Sequence, residues 1–338
     1  MAPHLSVRVT EPTQVGEARR AAVQLAHEMG FDDAATGRVA LVVTELGTNL
    51  ARHALQGRLL LAAGAGADGP MLEVLSLDAG PGMPEPARCL EDGYSTGGTP
   101  GTGLGAVRRQ ADEFSMFSQP GRGTVIAVRV RPPGAGQRRP AQPPGFRVGA
   151  VRLSAPGEQV CGDHWSFRAD GVAAAVIVAD GLGHGPQAAE AADAAIAVFD
   201  AAPDGTPPSR VIERAHETLR GTRGAAVAMA TLDADAATVV FAGAGNVIGR
   251  LVSGVADRTL LSQHGTVGLQ IRRVQDVRQP WPEHAVLVLH SDGLVSRWAL
   301  DGEAAGLLQC DPVVLAGWLV RDHCRGRDDT TVVVVARR

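Results

Sequence analysis

The chain has 338 residues, enough for two hydrophobic cores, and its 45% hydrophobic and 20% charged content is that of a globular protein. A formal net charge of −4 speaks against the basic face of a nucleic-acid binder, so no nucleic-acid partner is expected. No apolar run reaches the roughly 18–20 residues of a membrane helix, the stretch Met1 to Gly16 is polar and mixed, and Cys89, Cys161, Cys310 and Cys324 form no CxxC pair; the expectation is a reduced protein of the cytoplasm that does not enter the membrane.

In chain order, residues 15–29 and 34–55 have helical spacing, the second with Val39, Val42, Val43, Leu46 and Leu50 on one recurring face. Residues 59–63 and 71–77 read as strands, 102–112 as a helix, and 114–118 and 124–130 as two further strands. Residues 131–145, RPPGAGQRRPAQPPG, offer nothing to bury and read as an extended connector, the alternative being a long surface loop inside one domain. Beyond it the pattern turns strand-rich: 147–153, 166–169, 172–179, 225–232, 238–244, 247–252, 285–290 and 331–336, interrupted by helices at 186–199 and 208–219. The expected architecture is α/β (α+β) in two domains, residues 1–130 and 146–338, joined by a 131–145 linker. Helices lie against a sheet in the first, and paired sheets with helices outside form the second.

Three signals in the first half suit a nucleotide. In TELGTNLARHA, Glu45 and Asn49 lie four apart on the predicted helix and share a face. A carboxylate and a carboxamide there could hold hydrated Mg and orient a nucleophile; taken alone, the pair also fits a solvated face. In DAGPGM, a strand ends at Asp78, which could accept from an exocyclic amine, while Gly80 and Gly82 allow close backbone approach; an ordinary turn has the same look. In TPGTGLGAV, Gly101, Gly103 and Gly105 precede or open a helix whose N–H groups suit phosphates, although no GK[ST] follows as in a Walker A loop.

In this fixed order the three strings resemble the GHKL-type ATPase and kinase domains, especially the small serine kinases of anti-sigma-factor switches. The resemblance implies Glu45 as general base, Asn49 as Mg ligand, Asp78 as adenine reader, and Gly80, Gly82, Gly101, Thr102, Gly103, Leu104 and Gly105 around ATP, under a short lid between Met83 and Pro100. It further implies a protein partner, a STAS-domain antagonist to be phosphorylated or a sigma factor or other regulator to be bound. A kinase and an ATP-dependent clamp without kinase activity are both compatible with these residues.

The second half carries acidic residues beside apolar runs: CGDHW, VIVADGLGHG, LVLHSDGL and GRDDTTVVVV. Asp-Gly pairs are common turns, yet VIVADG and LVLHSDG both end a buried-looking strand in an aspartate. Carboxylates gathered in one place repel unless cations neutralise them, and hard divalent ions with oxygen ligands are the natural occupants. These strings, with AAEAADAAIAV and FAGAGN, resemble the SpoIIE-like branch of the metal-dependent type 2C protein phosphatases. The resemblance implies two Mg2+ or Mn2+ ions held by Asp163, Asp180, the Gly181 carbonyl, Asp292 and Asp328, with Asp329 a neighbour. Leu182 stands where the eukaryotic pattern has a histidine after Asp-Gly; His184, two residues on, could donate the proton or equally serve packing or loop hydrogen bonding. No arginine in the pattern is specified for phosphate; Arg168 and Arg327 are candidates. His290 and the GAGN turn read as structural neighbours. The expected protein removes phosphate from Ser or Thr of a regulatory partner and binds Mg–ATP in its first half, with a homodimer as one option for its assembly.

Overall fold

A computed structural model describes residues 2–66, 69–90, 103–132, 145–300 and 302–337. The chain divides into two compact units, Met1–Ala141 and Gln142–Arg338, the division falling inside the Pro/Gly-rich connector.

The first unit runs β1 (Leu5–Arg8), α1 (Pro12–Glu28), α2 (Asp33–His53), β2 (Arg58–Gly66), β3 (Gly69–Asp78), α3 (Gly103–Gln110), β4 (Glu113–Gln119) and β5 (Gly123–Val130). Local chemistry starts the helices. The Gln14 side chain accepts the Glu11 N–H ahead of α1, and Asp32 Oδ1 accepts the Ala35 N–H at 2.8 Å to cap α2. The strands form one antiparallel sheet in the order β1-β2-β3-β5-β4. Val39, Val42, Val43, Leu46 and Leu50 of α2 meet Ala18, Ala22 and Ala26 of α1 and Leu59, Leu61, Leu72, Val74, Ile126 and Val128 of the sheet in a single core. The alanine stripe on α1 lets the helices approach closely. Arg131, expected at the head of the connector, is buried in this unit, with its guanidinium 2.6 Å from Glu113.

The second unit runs β6 (Phe146–Leu153), β7 (Asp163–Asp170), β8 (Ala173–Gly181), α4 (Pro186–Asp200), α5 (Pro208–Thr218), β9 (Ala225–Asp233), β10 (Thr238–Ala244), β11 (Ile248–Val252), β12 (Asp257–Leu260), β13 (Gly265–Thr266), β14 (Gln270–Ile271), β15 (Val277–Pro280), β16 (Val286–His290), α6 (Pro312–His323) and β17 (Thr330–Arg337). Two five-stranded antiparallel sheets, β15-β10-β9-β8-β7 and β12-β11-β16-β17-β6, face each other. Val176, Val178, Ala228, Phe241, Trp281, Leu287, Leu289, Val333 and Val335 fill the space between them. The opposite residues of β8, Ala175, Ile177 and Ala179, meet Ala191, Ala192, Ala195 and Phe199 of α4. A strand covered on both faces has no polar side, which is why VIVA and TTVVVVA read as unbroken apolar runs. On the outside of the second sheet, α6 packs on β6 and β17. Gly149 permits that approach, because a Cβ there would collide with the Val313 backbone.

Candidate functional site

In the first unit α2 carries Glu45 and Asn49 on one half-buried face, and the N-terminus of α3 lands against them. A Cβ on Gly103 would lie 3.1 Å from Glu45 Oε2 and 3.9 Å from both amide atoms of Asn49. The two motifs, more than fifty residues apart in sequence, are therefore adjacent. Leu104 packs on the unit's core and Gly105 is buried, so α3 is held by its apolar face with its first turn toward the carboxylate. Gly101 and Thr102 lie outside the described residues, as do residues 91–100 of the expected lid. Asp78 ends β3 and accepts the Gly80 N–H at 2.6 Å. A Cβ on Gly80 would stand 2.9 Å from the His53 carbonyl oxygen, placing this turn at the C-terminal end of α2, one turn beyond Asn49. Gly82, at φ +66, could not carry a Cβ without striking the Gln119 carbonyl. Both glycines thus serve close backbone packing within the fold.

Glu45 also lines a groove of about 730 Å3 between α1 and α2, with Arg19, Thr44 and Thr48.

In the second unit Asp163 and Asp180 are directly paired across β7 and β8. Asp292 follows β16 and Asp328 precedes β17, so the opposing sheet supplies them from adjacent strands. Burial, then the charges of Asp163, Asp292 and Asp328, push the Asp180 carboxyl well above its ordinary range, so the other three carboxylates lie within electrostatic reach of it. Burial raises Asp163 to about 7, opposed by a hydrogen bond from Ser291 and reinforced by the charge of Asp329. Asp292 is raised by burial and by Asp328. Gly181 has a separate reason to be glycine: a Cβ would collide with the Ala188 carbonyl in the first turn of α4.

The two members of the Asp-Asp pair do different things. Asp328 Oδ1 accepts the Asp329 N–H at 2.9 Å and the side chain faces the other carboxylates. Asp329 is 3% exposed, accepts the Ala155 N–H at 2.8 Å, and presses on Gly162, where a Cβ would sit 2.7 Å from Oδ2. It braces the strand entry that positions Asp163.

Neighbours hold the carboxylates in place. Ser291 donates to Asp163 Oδ2 at 2.7 Å while accepting the Thr331 N–H at 2.9 Å. Asn246 donates its amide to Asp292 Oδ2 at 2.5 Å, so the GAGN segment is a turn, with Gly245 at φ +103, that also aims a side chain at the cluster. His290 is fully buried; its Nδ1–H donates to the Ser291 carbonyl at 2.9 Å and its Nε2 accepts from Trp298. Burial lowers it to about 4, so it is neutral and structural. His184 is more than half exposed and its Nδ1 lies 2.7 Å from Glu158 Oε1, a partner that nothing in the sequence singled out.

Arg168 is far from this chemistry. It pairs with Ala175 while Asp163 pairs with Asp180, five residues or roughly 16 Å along the strands. Its guanidinium donates to the Ala202 carbonyl and covers the Phe199 ring, beside a cavity of about 490 Å3 at that end of the sheet.

The donor set fits hard divalent cations. Every candidate atom is oxygen, and the crowding that raises Asp163, Asp180 and Asp292 is what a dication relieves. Among the described residues no three Asp, Glu, His or Cys side chains close around a single point as a complete chelate. An ion such as Mg2+, which takes few protein ligands and keeps water, does not require one.

A sandwich with carboxylates at the facing strand ends, following a helix–sheet unit whose glycine turn abuts a Glu-Asn helix face, defines a protein phosphatase joined to an ATPase-like domain. Residues 170–338 match the model of the Stage II sporulation protein E (SpoIIE) family and residues 9–130 that of the histidine kinase-like ATPase domain. The chain belongs to the SpoIIE family, as an enzyme of the protein-phosphatase class, and its first unit is of the GHKL kind. That unit is similar to the serine/threonine-protein kinase RsbT of Bacillus subtilis (strain 168), 34% identical over 120 residues, which span 36% of this chain and 90% of RsbT. Among solved structures, one from the bacterial stressosome is 26% identical, covers 56% of this chain and 98% of its own, and has a TM-score of 0.47. The phosphatase domain of Bacillus subtilis SpoIIE with a fragment of its regulatory domain is 18% identical, covers 79% of each chain, and has a TM-score of 0.46. Among the described residues no helix is long and apolar enough to cross a membrane.

Proposed function

We propose that the second unit removes phosphate from phosphoserine or phosphothreonine of a regulatory protein in the cytoplasm, using two Mg2+ or Mn2+ ions. The observation that carries this is the convergence on Asp180 of Asp163 from its own sheet and of Asp292 and Asp328 from the opposing one. Asp163, Asp180, the Gly181 carbonyl, Asp292 and Asp328 would hold the ions, which supply charge neutralisation and an activated water when bound. Ser291 and Asn246 fix the angles of Asp163 and Asp292. His184, hydrogen-bonded to Glu158, would give a proton to the departing serine oxygen.

In the same proposal the first unit binds Mg–ATP and phosphorylates Ser or Thr of a partner, a STAS-domain antagonist. Support comes from the apposition of Glu45, Asn49 and the α3 N-terminus and from the likeness to RsbT. Glu45 would accept the hydroxyl proton, Asn49 would hold the metal on the phosphates, Asp78 would accept the adenine amine, and the N–H groups at Gly103 would face phosphate oxygens. Two assays test the pair of roles. Purified protein should release phosphate from a phosphoserine STAS protein with Mg2+ or Mn2+ and lose this on Asp180→Asn; no release by wild type with either ion would refute the phosphatase. With labelled ATP, wild type should transfer phosphate to the unmodified partner and Glu45→Gln should not. Partner binding with no transfer by wild type would make the first unit an ATP-dependent clamp instead.

A further inference from the structure

Four carboxylates and two dications sum to no net charge, so a dianionic phosphate ester entering the proposed centre leaves a negative excess that a nearby cation of the chain would offset. The arginines nearest in sequence to the cluster or to its sheets are mostly committed. Arg152 donates to the Cys161 carbonyl, Arg250 pairs with Asp257 and covers Trp298, and Arg321 pairs with Asp322. Arg325 lies close enough to Asp292 to favour its ionised form.

Arg223 differs. It follows the 3-10 turn Leu219–Gly221 and precedes β9, it is exposed, and among the described residues no carboxylate, carbonyl or ring receives its guanidinium. Its place is fixed by backbone pairing. Gly181 is opposite Ala225 in the β8–β9 ladder, and the Leu182 N–H donates to the Gly224 carbonyl at 2.9 Å, which carries the pairing one step beyond the strands. The next step sets Arg223 across from Gly183, where a Cβ would lie 3.2 Å from Arg223 Nη1. Gly183 has φ +87, so the position disfavours a side chain on conformational grounds as well. A free guanidinium therefore rests on the loop that begins at the proposed Gly181 ligand, three residues past Asp180.

We propose that Arg223 binds the phosphate of the phosphoprotein substrate. The inference rests on the phosphatase reading above. The planar fork suits two non-bridging oxygens of one phosphate, which a point charge does not match as well. Leu182, 53% exposed, and Leu269, 57% exposed and packed on Gly224, flank the same loop and give the residues around the phosphoserine an apolar ledge.

The test uses the full chain saturated with Mg2+, a phosphoserine peptide as substrate and inorganic phosphate as a titrated ligand in calorimetry. Arg223→Ala should raise both the KM for the peptide and the Kd for inorganic phosphate by about tenfold or more, the loss expected for a charge-assisted pair. The Mg2+ concentration for half-activation should stay within about twofold, because the arginine touches no proposed ligand. Arg223→Lys should recover part of the loss. Arg220→Ala, an exposed arginine paired with Glu217, should behave as wild type, and melting curves confirm that the variants fold. Equal phosphate affinity in wild type and Arg223→Ala, including equal absence of binding, overturns the proposal. Arg223-dependent phosphate binding by a wild type that hydrolyses no phosphoester would instead overturn the phosphatase reading and leave the arginine site standing.

Discussion

Replacing Asp163 by Asn should stabilise the metal-free phosphatase unit while abolishing its response to cations. Asp163 is 1% exposed, and its carboxyl is raised from an ordinary 3.8 to about 7. At pH 8 the folded protein holds it ionised against burial and the Asp329 charge. The difference of about 3 units corresponds to roughly 4 kcal/mol, an upper bound on the penalty. The sign follows from proton binding. Between pH 4 and 7 the folded state binds the proton that the unfolded state has released, so the Asp163 contribution favours folding at low pH and is lost as pH rises to about 7. Asn removes the charge and keeps an oxygen for the Ser291 hydroxyl. Thermal melts of the full chain in EDTA at pH 8 should show the metal-responsive transition raised by several degrees, at most roughly 8–16 °C for a unit of this size. Wild type alone should gain further on adding Mg2+ or Mn2+. An Asn variant less stable than wild type in EDTA, with an unchanged cation response, would refute the reasoning.

Three other outcomes are expected. Glu73 is fully buried, 2.7 Å from Arg129 and 3.2 Å from His4; burial opposes its ionisation, but Arg129 and His4 outweigh it and hold its pKa below the usual value. Its stabilisation is present above pH 4.5 and lost as pH falls through the lower folded value, so Glu73→Gln should cost the first unit about 3–5 kcal/mol at pH 7 in urea melts and flatten its acid limb. Burial pushes the Cys161 and Cys310 thiols up to about 12 and about 11, so neither should react with iodoacetamide at pH 8 until the chain is unfolded, as mass spectrometry can check. Gly181→Ala should impair folding or displace α4, because the Ala188 carbonyl occupies the Cβ position; a full cation response with an unchanged melting temperature would contradict the packing described.

The sequence was most informative where one residue's neighbours along the chain determine its environment. The stripe on α2 is legible because only one face is buried, and β8 and β16 are legible because continuous apolar runs end abruptly at an acid. The same logic hides α6: Pro312 through Val320 are all buried, so the helix has no polar stripe to reveal its period. The short edge strand β1 buries one residue of four and leaves almost no pattern. At the site, Asn246, Ser291 and Glu158 were missed as functional partners because their contacts join residues 46, 128 and 26 positions apart. No local spacing encodes such pairs; only the folded sandwich does.

The carboxylates are divided between two sheets whose facing side chains fill the core between them. Asp163 and Asp180 travel with β7 and β8, while Asp292 and Asp328 travel with β16 and β17. Any sliding of one sheet over the other alters the gap between the two pairs without bending a strand. Phe241 and Leu289 meet at Gly249, where a Cβ would stand 2.8 Å from the Phe241 ring and 3.2 Å from Leu289. In a close-packed interior an added methyl at that position is transmitted as displacement. The sandwich core is thereby a spacer for the proposed metal centre, and inherited variation in catalytic rate can reside in apolar residues that no substrate reaches.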